Sequence, residues 1–405
     1  MKVYQVYNEP RSRFGGERAV VDATTRVLTE NGHESRLLMK SSRSLEDSFF
    51  GRFCAFFGGV YNIRAYRLMR RLLEDDRPDV VHVHGVYPMF SPSILVACRR
   101  AGVPVVMTVH NYNLTCPTWY HLYKGRVCED CVGGHEYRCV LKNCRNSIPE
   151  SFAYALRSAV ARRFRLFHDN VGMLIVLTSF AKARLLQAGF RDGQMVVIPN
   201  PAPMAETAAS PVEGEYIAFA GRMSPEKGVD TLLAAARRMA AVPFKVAGDG
   251  PALSEMTAKA PRNVEFAGRL DAGDLQTFYA GARIVVVPSV WFEQFPMVIL
   301  EAMALGLPVV ASRIGGLSEI VEDGVTGCLF DPGNAEDLAE KLGSLWNNPE
   351  LRRNMGRAGR EKVLRQYTRD RYYNNLMAVY QEAIRGPRRA AAPFPILSAN
   401  PSGSR

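Results

Sequence analysis

The sequence predicts an α/β protein of two domains, each a parallel sheet flanked by helices. Three features carry that expectation. Short β-branched runs such as Val103–His110 (VPVVMTVH) and Ile284–Val287 suit strands buried on both faces. They alternate with longer stretches of helical period. The chain has 405 residues and is 47% apolar, enough for two ordinary α/β cores.

Lys2–Asn8 predicts the first strand, and a loop containing Gly15 and Gly16 leads from it into a helix over Glu17–Glu30, stopped by Asn31 and Gly32. Glycines there let the backbone approach a ligand, and the N-terminus of the following helix favours an anion. Phe49–Phe57 and the arginine-bearing helix Tyr61–Leu73 form an aromatic, basic stretch. Docking on an anionic membrane surface and a solvated helix beside a packing loop are both open readings. Asp79–His84 (DVVHVH) is a strand with His82 and His84 on one face. That spacing suits either a metal or an ordinary strand. Val103–His110 puts His110 at the carboxyl end of its strand, where a side chain can meet a ligand.

An insertion over 116–144 follows, with Cys116, Cys128, Cys131, Cys139 and Cys144 among its residues, five of the eight cysteines. C-x2-C followed by C-x4-C suits a tetrahedral thiolate site, with zinc as the default ion. The expected ligands are Cys128, Cys131, Cys139 and Cys144, with Cys116 as an alternative; free thiols and disulfides are the competing states. A helix over Ser151–His168, a strand over Val171–Thr178, a helix over Ser179–Ala188 and a strand in Met195–Asn200 complete a first domain of residues 1–200.

Residues 201–214 read as a linker and 215–370 as the second domain. Tyr216–Gly221 is its first strand, followed by a loop with Arg222 and Lys227 and a helix over Val229–Met239. Phe244–Ala247 and Val264–Gly268 are further strands. Ile284–Asp331 then reads as strand, loop, helix, strand: Pro288 and Ser289 stop the strand, Glu293 lies on the loop, and Pro296 fits the first helical turn. Met297–Leu305 is the helix, Gly306 fits its C-terminal end, and Val309–Ala311 starts the next strand. Residues 371–385 are expected to form a helix packing back on the first domain, and 386–405 have the composition of a disordered tail.

Glu293 and Glu301, spaced E-x7-E within PSVWFEQFPMVILEAMALGLPVVAS and followed by Gly315, Gly316, Glu319 and DGVTGCLFDP, resemble the retaining glycosyltransferases of family 4. The resemblance covers nearly all of residues 1–385. It implies the GT-B fold, two Rossmann-like domains facing each other across a donor-binding cleft, and transfer of a sugar from a nucleotide-diphosphate sugar with retention of configuration. The acceptor would be a glycan, a lipid-linked molecule or a small molecule. It also implies that Glu293 contacts the donor sugar, that Glu301 binds the nucleotide ribose, that His110 lies near the sugar and phosphate, and that the diphosphate sits beside the glycine loop.

The chemistry asks for positive charge where the leaving diphosphate becomes more negative. Arg222 and Lys227 supply a planar fork and a point charge from one loop. His110, Glu293, Arg222 and Lys227 are therefore the candidate catalytic residues. The candidate donor-binding set is Gly15, Gly16, Asn200, Gly221, Arg222, Lys227, Gly268, Arg269, Glu293, Phe295, Pro296, Met297, Val298 and Glu301. No Asp-x-Asp motif occurs, so no catalytic metal is expected.

A net charge of +11 suits an anionic surface or substrate. No apolar run approaches the roughly 18 residues of a membrane span, and the N-terminus lacks the apolar core of a signal peptide. The expected location is the cytoplasm, at the inner face of the membrane if the basic stretch docks there. A sugar-nucleotide epimerase or phosphorylase on the same architecture is the alternative enzyme reading. A zinc-containing nucleic-acid binder would leave the donor motifs idle, so no nucleic-acid partner is expected.

Overall fold

The computed structural model describes residues 1–9, 16–41, 58–203, 209 and 213–386. They form two compact units. The first comprises Met1–Tyr120, Glu129–Pro199 and the described residues from Arg369 on; the second comprises His121–Cys128 and Asn200–Thr368.

Six strands make the sheet of the first unit: β1 (Lys2–Glu9), β2 (Glu34–Ser41), β3 (Val80–Val83), β4 (Val105–Val109), β7 (Met173–Val176) and β8 (Met195–Val197). Between β4 and β7 in the chain come two short strands, β5 (Leu122–Tyr123) and β6 (Arg126–Val127), paired as a hairpin within the segment that belongs with the second unit. The order is β2-β1-β3-β4-β7-β8, every pairing parallel. Parallel pairing with helices on both faces buries the central strands β3 and β4 completely, and their two polar residues, His82 and Thr108, bond each other. Val3, Val80, Val106 and Ile175 of the sheet pack with Leu376, Val379 and Tyr380 of the helix Arg369–Arg385. That helix is also tied by polar contacts: Tyr372 OH lies 2.8 Å from Thr24 Oγ1, and Tyr380 OH lies 2.8 Å from His82 Nδ1.

In the second unit the strands are β9 (Tyr216–Ala220), β10 (Phe244–Ala247), β11 (Val264–Gly268), β12 (Ala282–Val287), β13 (Val309–Ser312) and β14 (Gly327–Phe330). Their order is β11-β10-β9-β12-β13-β14, again all parallel. This is the doubly wound arrangement, whose strand order reverses between β9 and β12. Ligands of such sheets sit at the carboxyl ends of the two strands that flank the reversal. In the first unit the reversal falls between β1 and β3.

Two elements differ from the expectation. The helix expected over Ser151–His168 spans Ile148–Arg163. Ser147 caps its start by accepting from Glu150 N, Pro149 occupies the first turn, and Arg165 adopts a left-handed φ of 50° just past its end. The edge strand β2 does not read as a strand in the sequence, because its burial alternates incompletely along ESRLLMKS.

Candidate active site

The loops that leave β9 and β12 in the second unit are locked together by backbone. Gly228 has φ +70°, and a Cβ there would come 1.8 Å from Pro288 O, so only glycine permits this approach. Val290 N also donates to Glu226 O at 3.0 Å. The lock carries Lys227 to Glu293: Lys227 Nζ is 2.6 Å from Glu293 Oε1, and Ser289 Oγ donates to the same oxygen at 2.7 Å. Glu293 is only 5% exposed. A buried carboxylate needs such partners, since losing its water would otherwise cost several kcal/mol. Arg222, at the end of β9, forms no ion pair with a described residue. Lys227 shares its charge with Glu293, and Trp291 offers its ring face 5.3 Å away.

The loop after β13 supports Glu293 from another side. Gly315 has φ +58°, and a Cβ there would press within 2.7 Å of Glu293 O; Gly316 N donates to that carbonyl at 2.7 Å. Gln294 is buried beside Glu293, yet neither its amide oxygen nor its nitrogen has a hydrogen-bond partner among the described residues. Asn200, also buried, leaves its Oδ1 unpaired in the same way. Orphaned buried amides are rare and point to an absent partner. Phe295 packs edge-on against Tyr367 at 5.6 Å.

Pro296 precedes the helix Met297–Ala304, which has no side-chain cap, so the N–H groups of Met297 and Val298 are suited to an anion. Glu301, the fifth residue of that helix, accepts from Tyr279 OH at 3.2 Å. Burial pushes its carboxyl above the ordinary range, and the Tyr279 bond pulls the other way. Gly221 continues the β9 ladder by donating to Ala247 O. Gly268 ends β11, has φ +67° and accepts from Gly248 N at 2.7 Å; Arg269 follows it.

The first unit gathers a different set. His84 and His110 follow the carboxyl ends of β3 and β4, and His84 Nδ1 lies 3.0 Å from His110 Nε2. His84 Nε2 lies 3.1 Å from Gln5 Oε1. His82 is fully buried between Tyr380 OH and Thr108 Oγ1, each at 2.8 Å. Burial pushes His110 down to about 4 and His82 to about 3, and holds His84 well below the ordinary imidazole range. Burial thus favours the neutral form of all three. Asn111, next to His110, donates to Glu17 Oε1 at 3.2 Å in the first turn of the helix Gly16–Glu30. Burial raises the Glu17 carboxyl. The sequence reading passed over Gln5, Glu17, His84 as a partner of His110, Ser289 and Gln294. Gln294 stood inside the E-x7-E motif, where a polar residue between a buried acid and a buried aromatic was an available signal. Gly15 lies outside the described residues, as does Phe49–Phe57.

The thiols of Cys144, Cys131 and Cys116 lie near enough to Cys139 to push its thiol up. Cys128 belongs with the second unit, whereas Cys131, Cys139 and Cys144 belong with the first. Among the described residues no three His, Cys, Asp or Glu side chains are gathered as a metal ion would require. His121 and Lys124 take left-handed φ values of 47° and 48°, turning the chain into the β5–β6 hairpin that precedes Cys128. His121 O accepts from Cys128 N, and the Cys128 carbonyl bonds His121 Nδ1 at 3.0 Å. The thiols of Cys139 and Cys144 do share a hydrogen bond, which brings Cys144 down to about 7.

Comparison with known proteins agrees with this geometry. The model described as Glycosyltransferase Family 4 matches residues 14–206, and that described as Glycosyl transferases group 1 matches residues 204–362. A D-inositol 3-phosphate glycosyltransferase of Mycobacterium avium is 34% identical over 355 residues, 82% of this chain and 74% of the relative. The chain belongs to the glycosyltransferases. Solved structures bear out the GT-B fold. Sucrose-phosphate synthase from Thermosynechococcus elongatus has a TM-score of 0.71 at 18% identity, covering 95% of this chain and 99% of the other. Anabaena HepE in complex with UDP-glucose has a TM-score of 0.65 at 18% identity, covering 94% and 99%.

Proposed function

We propose that this glycosyltransferase takes its sugar from a nucleoside diphosphate sugar and passes it, with retention of configuration, to a hydroxyl of a glycan, lipid-linked or small-molecule acceptor. The observation that carries the reading is the buried Lys227–Glu293 pair at the β9–β12 strand reversal, with the unpaired amide of Gln294 beside it. Arg222, Lys227 and the N-terminus of the helix Met297–Ala304 present positive charge and dipole to a leaving diphosphate. Both contacts to Glu293 fall on Oε1, so the carboxylate can stabilise a cationic sugar without bonding to it. Glu301 is the acceptor for the ribose hydroxyls, and His110 is a further catalytic residue. The solved neighbour holding UDP-glucose and the relative named for an inositol phosphate acceptor support the donor and acceptor classes. The test is incubation with a panel of nucleoside diphosphate sugars and hydroxyl acceptors, with NMR of the product's anomeric proton. A product of inverted configuration overturns retention, and donor loss without an acceptor-linked product overturns transfer.

A second proposal concerns the membrane. No described helix is long and apolar enough to span one. The helix Ile63–Asp75 buries Ala65, Met69 and Leu73 and leaves Ile63 and Leu68 exposed among Arg64, Arg67 and Arg71. Such a face suits the surface of an anionic bilayer. Co-sedimentation with phosphatidylglycerol vesicles but not phosphatidylcholine vesicles is expected, and equal recovery with both would contradict it.

A third proposal is a structural zinc at the cysteine insertion, carried by the spacing of its thiols and by the nearness of Cys144, Cys131 and Cys116 to Cys139.

A further inference from the structure

The first unit holds a hydrogen-bonded line whose polarity can be worked out atom by atom. It starts at Thr25, whose hydroxyl donates to Val21 O at 2.9 Å. That hydroxyl has one proton, so its oxygen can only accept from the Gln5 side chain, 2.7 Å away. The contacting atom of Gln5 is therefore its amide nitrogen, which also donates to Ser35 Oγ at 2.8 Å. With the nitrogen committed, the atom facing His84 is the amide oxygen, at 3.1 Å. An amide oxygen has no proton to give, so His84 must donate from Nε2. A neutral imidazole carries one N–H, so His84 Nδ1 is bare and accepts. Its partner, His110 Nε2 at 3.0 Å, must then be the protonated nitrogen of that ring.

We infer that Gln5 and His84 are positioning residues that fix His110 as the Nε2–H tautomer, leaving its Nδ1 a bare acceptor at the carboxyl end of β4 for a hydroxyl of the sugar or acceptor. The substrate half of this statement rests on the proposed sugar transfer; the tautomer half rests on the structure alone. Burial supports it by keeping both rings neutral, since an imidazolium would have no bare nitrogen. Gln5 is fully buried and His84 nearly so, which shields the line from bulk solvent. Among the described residues none bonds His110 Nδ1. The use of the line is selectivity of direction. A His110 locked as a donor would repel the proton of an incoming hydroxyl; locked as an acceptor, it orients that proton and can take it up.

The experiment uses the full chain with 15N-labelled imidazoles, assigned by the resonances lost in His110→Asn and His84→Asn. At pH 7 the expected spectrum shows Nε2 of His110 protonated and Nδ1 in the range of a bare ring nitrogen. A protonated Nδ1, or an imidazolium, overturns the inference whatever the enzyme does. Kinetics then test the role. Gln5→Leu removes the fixed acceptor and should mix the tautomers of His110, lowering kcat about tenfold with little change in donor KM. Should Gln5→Leu fail to fold, the pair at His84 still decides. His84→Asn keeps an oxygen near the Nδ1 position and should retain several-fold more of kcat than His84→Leu. Equal kcat in the two His84 variants overturns the positioning role even if the tautomer is as stated. Absence of any transfer by the wild type would instead count against the proposed function, and the spectrum would still decide the tautomer.

Discussion

Lys227 Nζ and Glu293 Oε1 lie 2.6 Å apart although 66 residues separate them, and Ser289 Oγ donates to the same oxygen at 2.7 Å. The pair joins the two loops that flank the strand reversal of the second unit, so cation and acid act as one object. Removing Lys227 leaves a buried charge without its partner, a loss of about 3–5 kcal/mol for a fully buried pair and less here because the lysine is partly exposed. Lys227→Met should therefore lower both stability and turnover. Lys227→Met combined with Glu293→Gln should recover much of the melting temperature but none of the activity. Recovery of activity in the double variant would show that the pair is structural only.

Glu301 should act on binding rather than on turnover. Glu301→Gln keeps an acceptor for Tyr279 OH but offers the ribose diol one oxygen in place of two. Calorimetry should show about tenfold weaker binding of a nucleoside diphosphate, the equivalent of one or two hydrogen bonds. Unchanged affinity would remove Glu301 from the nucleotide site.

The buried histidines set a pH dependence of stability. His110 lies at about 4 and His82 at about 3 in the folded chain, both below the ordinary imidazole value. Unfolding frees them to bind protons, so the unfolded state holds more protons between that ordinary value and about 4. Stability from these groups is fully present above the ordinary value and is lost as pH falls toward about 4. Denaturant unfolding at pH 7 and pH 5 should show a drop, smaller in His110→Asn. An equal drop in wild type and variant would place the titration elsewhere.

For the insertion, elemental analysis of protein purified under reducing conditions decides the zinc proposal. About one zinc per chain is expected, held by Cys128, Cys131, Cys139 and Cys144 or with Cys116 among the ligands, since a bound ion can order a short segment. Titration of all four thiols in metal-free, folded and active protein would rule the ion out.

Much of the fold was legible in the sequence. Phe244–Ala247 and Val264–Gly268 form strands over the residues expected of them, β10 through a mostly buried run and the edge strand β11 through Val264 and Phe266 alternating with Glu265. Edge strand β2 was not legible, since one side of it meets solvent and its polar residues interrupt the run. In the site, E-x7-E marked the loop and helix bearing the two acids. It did not reveal that Lys227 is spent on Glu293, because a contact across 66 residues depends on the fit of Gly228 against Pro288 O. The line from Gln5 through His84 to His110 was equally hidden, as it runs across β1, β3 and β4 and exists only once those strands are side by side. The left-handed residues His121 and Lys124 that turn the chain into the β5–β6 hairpin leave no mark in the sequence.

The central claim is that the second unit binds a nucleoside diphosphate sugar through the positive end of β9. Titration calorimetry of UDP-glucose into the wild type and Arg222→Ala tests it most directly, with circular dichroism confirming that the variant is folded. The account predicts saturable binding by the wild type and at least about tenfold weaker binding by the variant, since a charge-assisted bidentate contact is lost. Equal affinity in the two proteins, or no binding of any nucleoside diphosphate sugar by the wild type, would contradict it.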